Sequence, residues 1–477
     1  MSEQAPAIWP SPNERDRTLR MVAQLLDRHL TDMQSGGVAP TLSPVALRTR
    51  LALLDFDRPM SLETAVEQTL GLIGAANTNM MHPGYLGLFN PSVTFAGVVA
   101  DQITATLNPQ LAVWAHAPAA VEIEAHTIAF VAKMVGWHGH DALGHFTSGG
   151  AEANYTAVLA ALTRNVADFS ERGARAFDQQ PRLYVSRDSH LAWFKIAHQA
   201  GIGRNAVCLV GTDGSGRMDT HALAAAIVED RKNGLVPVFV GATAGTTNAG
   251  MIDPLAACRT IAAENDLWFH VDAAWGGAAL ICEHMRPHFD GIANADSITI
   301  DAHKWFAVPM GAGMFLCKDT HLLGRVFRVQ AGYMPLPTGG TVDPYTHSAQ
   351  WSRRFIGLKL FLSLATLGID GYRRHIERSL HLATYLRKSL EHGHWRVLND
   401  SPVAVVCFTD RDDGFNAATA AEQIVDAGRC WISAATFEGR DVLRACVTSH
   451  FTTEEHLDRL VEDLNAVRAS LGNRPNT

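Results

Sequence analysis

The sequence predicts an α/β protein whose large domain contains a mostly parallel sheet covered by helices on both faces. Between about residues 142 and 318, short apolar runs rich in β-branched residues alternate with helical stretches. This alternation is typical of βα units, whose strands lie parallel in one sheet. Towards the C-terminus, runs that alternate apolar and polar residues indicate half-buried strands, and so a smaller α+β domain.

Seven runs in the alternating region predict the strands of the large sheet. They cover residues 144–147, 182–186, 206–210, 237–242, 267–272, 296–300 and 313–317. Helical spacing of apolar residues predicts helices between and before these strands. These helices cover residues 93–107, 119–135, 151–164, 218–232 and 254–265.

The N-terminal region predicts a helix that has no sheet to pack on. Ser11, Pro12 and Glu14 are typical of a helix start, where serine caps, proline takes the first position and glutamate closes a capping box. The residues that follow form an apolar stripe that ends at Ser35-Gly36-Gly37. The stripe needs an external surface, either the large domain or a second subunit, and we favour the subunit.

The C-terminal part of the chain completes the predicted organisation. A loop-rich stretch at 319–350 leads to one or two helices at 353–387. The small domain is predicted to contain strands at 402–409 and 442–447 and helices at 417–427 and 454–471. We therefore expect an N-terminal helical dimerisation segment (1–90), a large domain (91–385) and a small C-terminal domain (386–477).

Composition excludes several function classes. The 477 residues are 47% hydrophobic and 18% charged with a net charge of −8, and no basic block suggests nucleic acid or an anionic membrane as partner. No apolar run is long enough to span a bilayer, and the N-terminus lacks signal-peptide features. The seven cysteines are scattered without a CxxC pair, so we expect reduced thiols and a cytoplasmic location. His138-Gly-His140 lacks partners at ligand spacing, so no metal site is predicted.

Two strand ends carry the residues that indicate chemistry. The strand at 267–272 ends in Asp272, and the strand at 296–300 is followed by Asp301-Ala-His-Lys304. Ligands of open α/β sheets bind beyond the carboxyl ends of the strands. A desolvated lysine acts as an amine nucleophile, and a carboxylate keeps a pyridine nitrogen protonated. This pair therefore predicts a pyridoxal phosphate site in which Lys304 forms the Schiff base.

Other strand ends carry residues that suit other edges of the same cofactor. Ser148-Gly149-Gly150 precede a helix, whose N-terminal N–H groups and dipole favour a phosphate. His190 is placed to stack on the ring, Thr247 to hydrogen-bond the cofactor, and Ala274 is small enough to lie flat against the ring. Each residue alone has an ordinary structural explanation, such as capping or turn formation. Their coincidence at one sheet edge favours the cofactor.

The ordered motifs resemble those of the group II pyridoxal-phosphate-dependent amino acid decarboxylases, which include aromatic amino acid, glutamate and diaminobutyrate decarboxylases. The motifs are Thr147-Ser-Gly-Gly-Ala-Glu-Ala-Asn154, Asp188-Ser-His190, Gly245-Thr-Thr247, His270-Val-Asp-Ala-Ala274 and Asp301-Ala-His-Lys-Trp305. The resemblance extends from about His82 to Thr448. It implies the aspartate-aminotransferase-like fold (fold type I), and decarboxylation of an L-amino acid to the corresponding amine and CO2. It also implies a homodimer with its sites at the interface.

The same resemblance assigns roles to residues of this sequence. Lys304 would bind pyridoxal 5'-phosphate covalently, Asp272 would pair with the ring nitrogen, and His190 would stack on the ring. The phosphate would lie against Ser148, Gly149, Gly150 and His303, and the ring substituents against Thr247.

The resemblance is less regular on the substrate side. Arg444 aligns with an arginine that binds the substrate carboxylate in some members, although a structural ion pair explains it nearly as well. His82, Phe89 and Asn90 lie in a stretch that only partly resembles the substrate loop of the aromatic members. Tyr345 lies near, but out of register with, the tyrosine that protonates the carbanion in those members. Because the neighbouring residues look more like diaminobutyrate-type members, the substrate class stays open.

Three alternatives accompany this interpretation. Within pyridoxal phosphate chemistry, a retro-aldol carbon–carbon lyase or a decarboxylating oxidative deaminase would share the cofactor residues. A nicotinamide oxidoreductase is suggested by Gly201-Ile-Gly203, but this pattern follows a helix and precedes a strand, which is the wrong context. A catalytically inactive binding protein is disfavoured because Lys304 and Asp272 are both present.

Overall fold

The computed structural model describes residues 8–89, 92–138, 143–329, 339–412 and 415–472. The chain divides into two compact units. The first contains the residues up to Gly87, Thr419–Ile432 and the residues from Phe451 onward, and the second contains Leu88–Ala418 and Ser433–His450. The predicted three-part division of the chain stays a prediction.

Fourteen α-helices are found in the described ranges. In chain order they are α1 Pro12–Ser35, α2 Pro44–Leu51, α3 Leu62–Ala76, α4 Phe95–Leu107, α5 Pro118–Met134, α6 Gly150–Asn165, α7 Phe169–Arg172, α8 Ala192–Gln199, α9 Thr220–Lys232, α10 Leu255–Glu264, α11 Leu322–Phe327, α12 Leu358–Glu391, α13 Ala417–Asp426 and α14 Glu454–Gly472. Among them, none combines the length and apolarity that crossing a membrane requires.

Eleven strands are found in the same ranges. They are β1 Leu143–Thr147, β2 Pro181–Ser186, β3 Val207–Val210, β4 Val236–Thr243, β5 Trp268–Asp272, β6 Ser297–Asp301, β7 Gly313–Cys317, β8 Trp395–Val397, β9 Val405–Asp410, β10 Ser433–Phe437 and β11 Arg440–Cys446.

The large sheet has seven strands in the order β1-β7-β6-β5-β4-β2-β3. Strands β2 to β6 run parallel, and β7 pairs antiparallel with both β1 and β6. The mostly parallel seven-stranded sheet predicted from the sequence is thus confirmed. Because β4, β5 and β6 are neighbours, the residues that follow them lie side by side at one sheet edge.

The small sheet has four antiparallel strands in the order β10-β11-β9-β8. Two of them, β9 and β11, correspond to the predicted strands at 402–409 and 442–447. Strands β8 and β10 were not predicted, since one has only three residues and the other, Ser-Ala-Ala-Thr-Phe, is made mostly of small side chains.

Several helices begin later than predicted because the residue taken as the first turn is a cap. Thr94 accepts a hydrogen bond from the N–H of Gly97 and so precedes α4, and Asp219 caps α9 in the same way. Helix α12 begins only at Leu358, and it kinks at Gly368, whose φ of 65° lies in the left-handed region that favours glycine.

The first unit shows the predicted capping box at the start of α1. Ser11 accepts from the Glu14 N–H, and the Glu14 carboxylate accepts from the Ser11 N–H. Helices α1, α2 and α3 have no buried residue within the described chain. Leu19 on α1 and Leu62 on α3 are 64% and 61% exposed. The later residues of the α1 stripe, such as Leu26 and Leu30, are only partly buried.

The second unit contains a buried ion pair beneath α5 and the start of α12. The Arg353 guanidinium lies 2.5 Å from the Glu124 carboxylate, and both side chains are almost fully buried. The other oxygen of Glu124 accepts from the Gly357 N–H. This ion pair joins α5 to the segment that leads into α12, across a cluster that includes Ala120 and Leu358.

Replacing Glu124 by alanine should lower the free energy of unfolding by about 3–5 kcal/mol, because the Arg353 charge would stay buried without its partner. Denaturant unfolding measures the change. The matched control is Asp16→Ala, which removes the exposed Asp16–Arg20 pair of α1 and should leave stability unchanged. Equal effects of the two substitutions would contradict the structural role assigned to Glu124.

Candidate active site

A cavity in the second unit lies at the sheet edge where β4, β5 and β6 end. Seven residues predicted from the sequence line it, namely Phe89, Gly150, His190, Thr247, Asp272, Ala274 and Lys304. The structure thus brings together residues from six separate parts of the chain. The lining also includes Asn154, Asp301 and Trp275, for which the sequence suggested no role.

Asp272 is the last residue of β5 and is 6% exposed. One carboxylate oxygen accepts from the Asn154 side-chain amide at 2.7 Å, and the other accepts from the Ala274 N–H at 3.1 Å. A buried carboxylate is costly unless it is hydrogen-bonded and paired with a positive charge. Neutral donors hold this carboxylate in place, and its charge suits a cationic group in the cavity.

Lys304 follows β6 and reaches the same cavity. Its Nζ atom lies 3.1 Å from the carboxylate of Asp301, which is 2% exposed at the end of β6. His303 Nε2 lies 3.6 Å from the same oxygen, and its Nδ1 accepts from the Ala312 N–H. Burial lowers the pKa of His303, which favours its neutral form. The amine of Lys304 therefore has a defined position beside a buried carboxylate.

The start of α6 forms the part of the cavity suited to an anion. Gly149 occupies the N-cap position, and no side chain caps this helix. A Cβ atom on Gly150 would lie 2.9 Å from the Asp301 carboxylate, and one on Gly149 would lie 3.5 Å from the His303 ring. The glycines thus leave the helix N–H groups accessible, as binding of a phosphate requires.

The remaining predicted cofactor residues surround the cavity. His190 is exposed on the cavity side, and its Nδ1 accepts from the Ala192 N–H, which leaves the proton on Nε2. Ala274 is buried next to Asp272, and Thr247 is half-buried in the turn after β4. These positions are consistent with contacts of His190 and Ala274 to the face of a flat ring, and of Thr247 to the ring substituents.

One wall of the cavity is a stack of aromatic side chains. The Trp275 ring lies 4.6 Å from Trp305 and 4.4 Å from Phe89, measured between ring centroids. The Arg444 guanidinium carbon lies 4.6 Å from the Phe89 ring centroid. Arg444 is 3% exposed and donates a hydrogen bond to Ser433 Oγ. A guanidinium is therefore held next to the aromatic wall, where a cation is stabilised by the ring face.

Several predicted residues are placed elsewhere or lie outside the described ranges. The N–H and hydroxyl of Ser148 both donate to the Glu152 carboxylate, and Ser148 does not line the cavity. Tyr345 packs its ring 4.8 Å from that of Trp351 and also does not line the cavity. His82 belongs to the first unit, where its Nδ1 accepts from the Gly84 N–H. Asn90 lies outside the described residues, and the assigned roles of all four stay predictions.

The residues that the sequence did not reveal had only weak signals. Asn154 is a buried polar residue on α6, one turn after Gly150, on a helix face otherwise made of small apolar residues. Asp301 ends β6 three residues before Lys304. A buried polar residue at a strand end or on an apolar helix face is the pattern that would have revealed them.

These groups match the chemical needs of pyridoxal phosphate one by one. An uncapped glycine-rich helix start suits the phosphate, the Asp272 carboxylate suits a protonated pyridine nitrogen, and the Lys304 amine suits an aldehyde. No group of three or more His, Cys, Asp or Glu side chains in the described part of the chain is arranged to hold a metal ion. The fold and site define a pyridoxal-phosphate-dependent enzyme of fold type I.

Comparison with known proteins identifies the family. Residues 55–411 match the conserved domain of the pyridoxal-dependent decarboxylases, and the chain belongs to this family. It is 28% identical to tyrosine decarboxylase 2 of Narcissus pseudonarcissus over 93% of this chain and 91% of that protein. It is 29% identical to aromatic-L-amino-acid decarboxylase of Bacillus atrophaeus over 82% of each chain. The crystal structure of mouse CSAD has a TM-score of 0.90 at 26% identity, covering 96% of this chain and 99% of that chain.

The predicted activity is therefore confirmed at the level of the reaction. The protein is a pyridoxal-phosphate-dependent carboxy-lyase that decarboxylates an amino acid. The retro-aldol and oxidative alternatives are not favoured, since the matched relatives are named as decarboxylases.

Replacing Gly150 by alanine should weaken cofactor binding by about tenfold or more, because overpacking typically costs ~1–3 kcal/mol. The added methyl would displace the Asp301 carboxylate and, with it, the partner of Lys304. Titration of the apoenzyme with pyridoxal phosphate, followed by protein fluorescence, measures the affinity. Gly71→Ala is the matched control, since a Cβ there meets nothing within 4 Å. Unchanged affinity in Gly150→Ala would exclude this part of α6 from the phosphate site.

Proposed function

We propose that the enzyme decarboxylates an L-amino acid with an aromatic side chain, and that the predicted residues act in the roles given below. The observation that carries the substrate class is the wall formed by Phe89 and Trp275, which lines the same cavity as Asp272 and contacts the Arg444 guanidinium through Phe89. Flat apolar walls favour flat apolar side chains through ring stacking. The names of the relatives, which include tyrosine and aromatic amino acid decarboxylases, support the same class.

The residues that would hold the cofactor follow from the cavity. Lys304 would bind the aldehyde carbon of the cofactor, and Asp272 would bind its ring nitrogen. The start of α6, together with His303, would bind the cofactor phosphate. Bound pyridoxal phosphate supplies an electron sink conjugated to the substrate nitrogen. The Asp272 carboxylate keeps the ring nitrogen protonated, since an adjacent negative charge favours the charged form. The Ala274 methyl and the His190 ring would hold the cofactor ring and exclude water from it.

Substrate orientation decides which bond to the α-carbon is broken. We assign Arg444 to the substrate carboxylate, because its guanidinium is buried beside Phe89 and because Phe89 also lies 5.8 Å from Lys304 Nζ. An arginine binds a carboxylate through two parallel hydrogen bonds, which restrict rotation of the carboxylate. Such restriction positions the bond to be broken relative to the electron sink. The Lys304 amine would return a proton to the substrate carbon, with Tyr345 as the alternative donor.

A panel of aromatic, acidic, basic and aliphatic L-amino acids tests the proposed substrate class. Release of CO2 together with the matching amine should be at least about tenfold faster for aromatic substrates, as a difference of ~1–3 kcal/mol in pocket contacts predicts. Preference for an acidic or basic substrate would contradict the aromatic assignment. Release of ammonia with an aldehyde would contradict simple decarboxylation as the main reaction.

Arg444→Gln in the same assay tests the carboxylate role. Loss of a charged hydrogen-bond donor should raise KM by about 10- to 100-fold, with the affinity for pyridoxal phosphate unchanged. The control is Arg440→Gln, because Arg440 is an exposed arginine at the start of the same strand. An unchanged KM in Arg444→Gln would indicate that Arg444 does not bind the substrate carboxylate and has only a structural role.

We also propose a homodimer, with its active sites at the interface. In the first unit, α1 to α3 bury no residue, although α1 carries an apolar stripe. In the second unit, α4 and α12 form an apolar groove that includes Phe95, Val99 and Leu367, and Phe95 is 73% exposed. Apolar patches of this kind mark protein interfaces. A second copy of the chain is the partner that the family resemblance implies.

Sedimentation measures the oligomeric state. Wild-type protein should sediment as a dimer, and Phe95→Asp should shift it towards monomer with a matching fall in activity, because a carboxylate would be buried in the apolar groove. Val228→Asp, at a half-exposed apolar residue on α9, is the control and should stay dimeric. A fully active wild-type monomer at assay concentration would contradict the proposal.

A further inference from the structure

A chain of buried hydrogen bonds extends from Asp272 into the interior of the large sheet. The Asn154 amide nitrogen donates to Asp272 Oδ2 at 2.7 Å. Asn154 Oδ1 lies 3.0 Å from His270 Nε2, and His270 Nδ1 lies 2.8 Å from Ser297 Oγ. Asn154, His270 and Ser297 are each at most 3% exposed. No role was predicted for these three residues from the sequence, and all three are shielded from solvent.

The chemistry of the groups fixes the direction of every hydrogen bond in this chain. A carboxylate only accepts, so the Asn154 amide nitrogen must face Asp272, and its carbonyl oxygen must face His270. That oxygen can only accept, so His270 carries its proton on Nε2. In a neutral imidazole Nδ1 then accepts, and the Ser297 hydroxyl donates to it.

The hydrogen bonds at the Ser297 end of this network are consistent with the same donor direction. The Trp268 indole N–H donates to Ser297 Oγ at 2.8 Å, which leaves the hydroxyl proton of Ser297 for His270. The rings of Trp193 and Phe239 pack against the His270 ring. Burial lowers the pKa of His270 to about 4, so the ring is neutral at neutral pH. The donors therefore all point one way, from Trp268 through Ser297, His270 and Asn154 to Asp272.

We infer that Asn154 and His270 are positioning residues that hold the Asp272 carboxylate towards the cofactor ring and keep its full negative charge available. This inference rests on the proposed role of Asp272 in binding the ring nitrogen. Because His270 is neutral, this chain of hydrogen bonds brings no positive charge that would compete with the pyridine nitrogen for the carboxylate. Because aligned hydrogen bonds polarise one another, the Asn154 amide is a stronger donor than an isolated one, and the carboxylate is restricted to one orientation.

The test compares variants that break or keep the Nε2–H donor of residue 270. His270→Phe and Asn154→Ala remove the hydrogen bonds, whereas His270→Gln places an amide N–H near the former Nε2 position. His270→Asn is the matched amide that is too short, since its nitrogen or oxygen reaches only the Nδ1 position. Readouts are the dissociation constant for pyridoxal phosphate, kcat, KM and the visible absorption of the loaded enzyme.

Asn154→Ala, His270→Phe and His270→Asn should weaken cofactor binding by about 10- to 100-fold, the usual effect of losing a hydrogen bond to a charged group. They should lower kcat with little change in KM and shift the visible absorption band. His270→Gln should bind the cofactor nearly as well as wild type. Wild-type affinity and spectrum in Asn154→Ala, or identical losses in the Gln and Asn variants, would overturn the inference.

Two further variants distinguish a failure of the positioning network from a failure of the proposed role of Asp272. Phe239→Leu disturbs the packing against the His270 ring without touching a hydrogen bond, so it should lower thermal stability and leave cofactor affinity unchanged. Asp272→Asn should reduce kcat more than any of the other variants. If Asp272→Asn is fully active, the proposed role of Asp272 fails. If only Asp272→Asn is impaired, the role of Asp272 stands and the positioning network is refuted.

Discussion

The structure of this site depends on one buried carboxylate, that of Asp272 at the end of β5. A carboxylate that is 6% exposed is stable only if hydrogen bonds and an opposite charge replace the water it has lost. Asn154 and the Ala274 N–H supply the hydrogen bonds, and the cofactor ring nitrogen would supply the charge. The same interaction would make the ring an electron sink, so the stability of the loaded site and its chemistry would have one physical origin.

The topology of the sheet explains why these groups meet. Strands β4, β5 and β6 are parallel neighbours, so the residues that follow them lie at one edge although more than fifty positions separate Thr247 from Lys304. Helix α6 presents its N-terminus at the same edge, where glycines leave its N–H groups accessible. The parallel sheet therefore supplies the amine, the carboxylate and the anion site. Of the features that would select the substrate, Trp275 follows β5 directly, whereas Phe89 and Arg444 belong to more distant segments.

Much of this arrangement could be predicted from the sequence, for identifiable reasons. The seven strands were predicted to within about two residues because strands buried on both faces are continuous apolar runs. Asp272 was predicted because it ends such a run, and Lys304 because it lies just beyond the end of the next one. Asn154 and Asp301 were not, because their contacts depend on how α6 and β6 pack, and a polar residue on an apolar helix face or at a strand end is only a weak local signal. The capping residues Thr94 and Asp219 were taken as helical because a cap and a first helical turn have similar compositions.

The central claim is that Lys304 and Asp272 hold one cofactor at the ends of adjacent strands. Borohydride reduction of the loaded wild-type enzyme, followed by proteolysis and mass spectrometry, identifies the lysine that is covalently bound to the cofactor. Pyridoxyl label should be found on the peptide containing Lys304, and the amount of label there should rise in proportion to bound cofactor. Label on another lysine, such as the buried Lys359, or active enzyme with no label at Lys304, would contradict it.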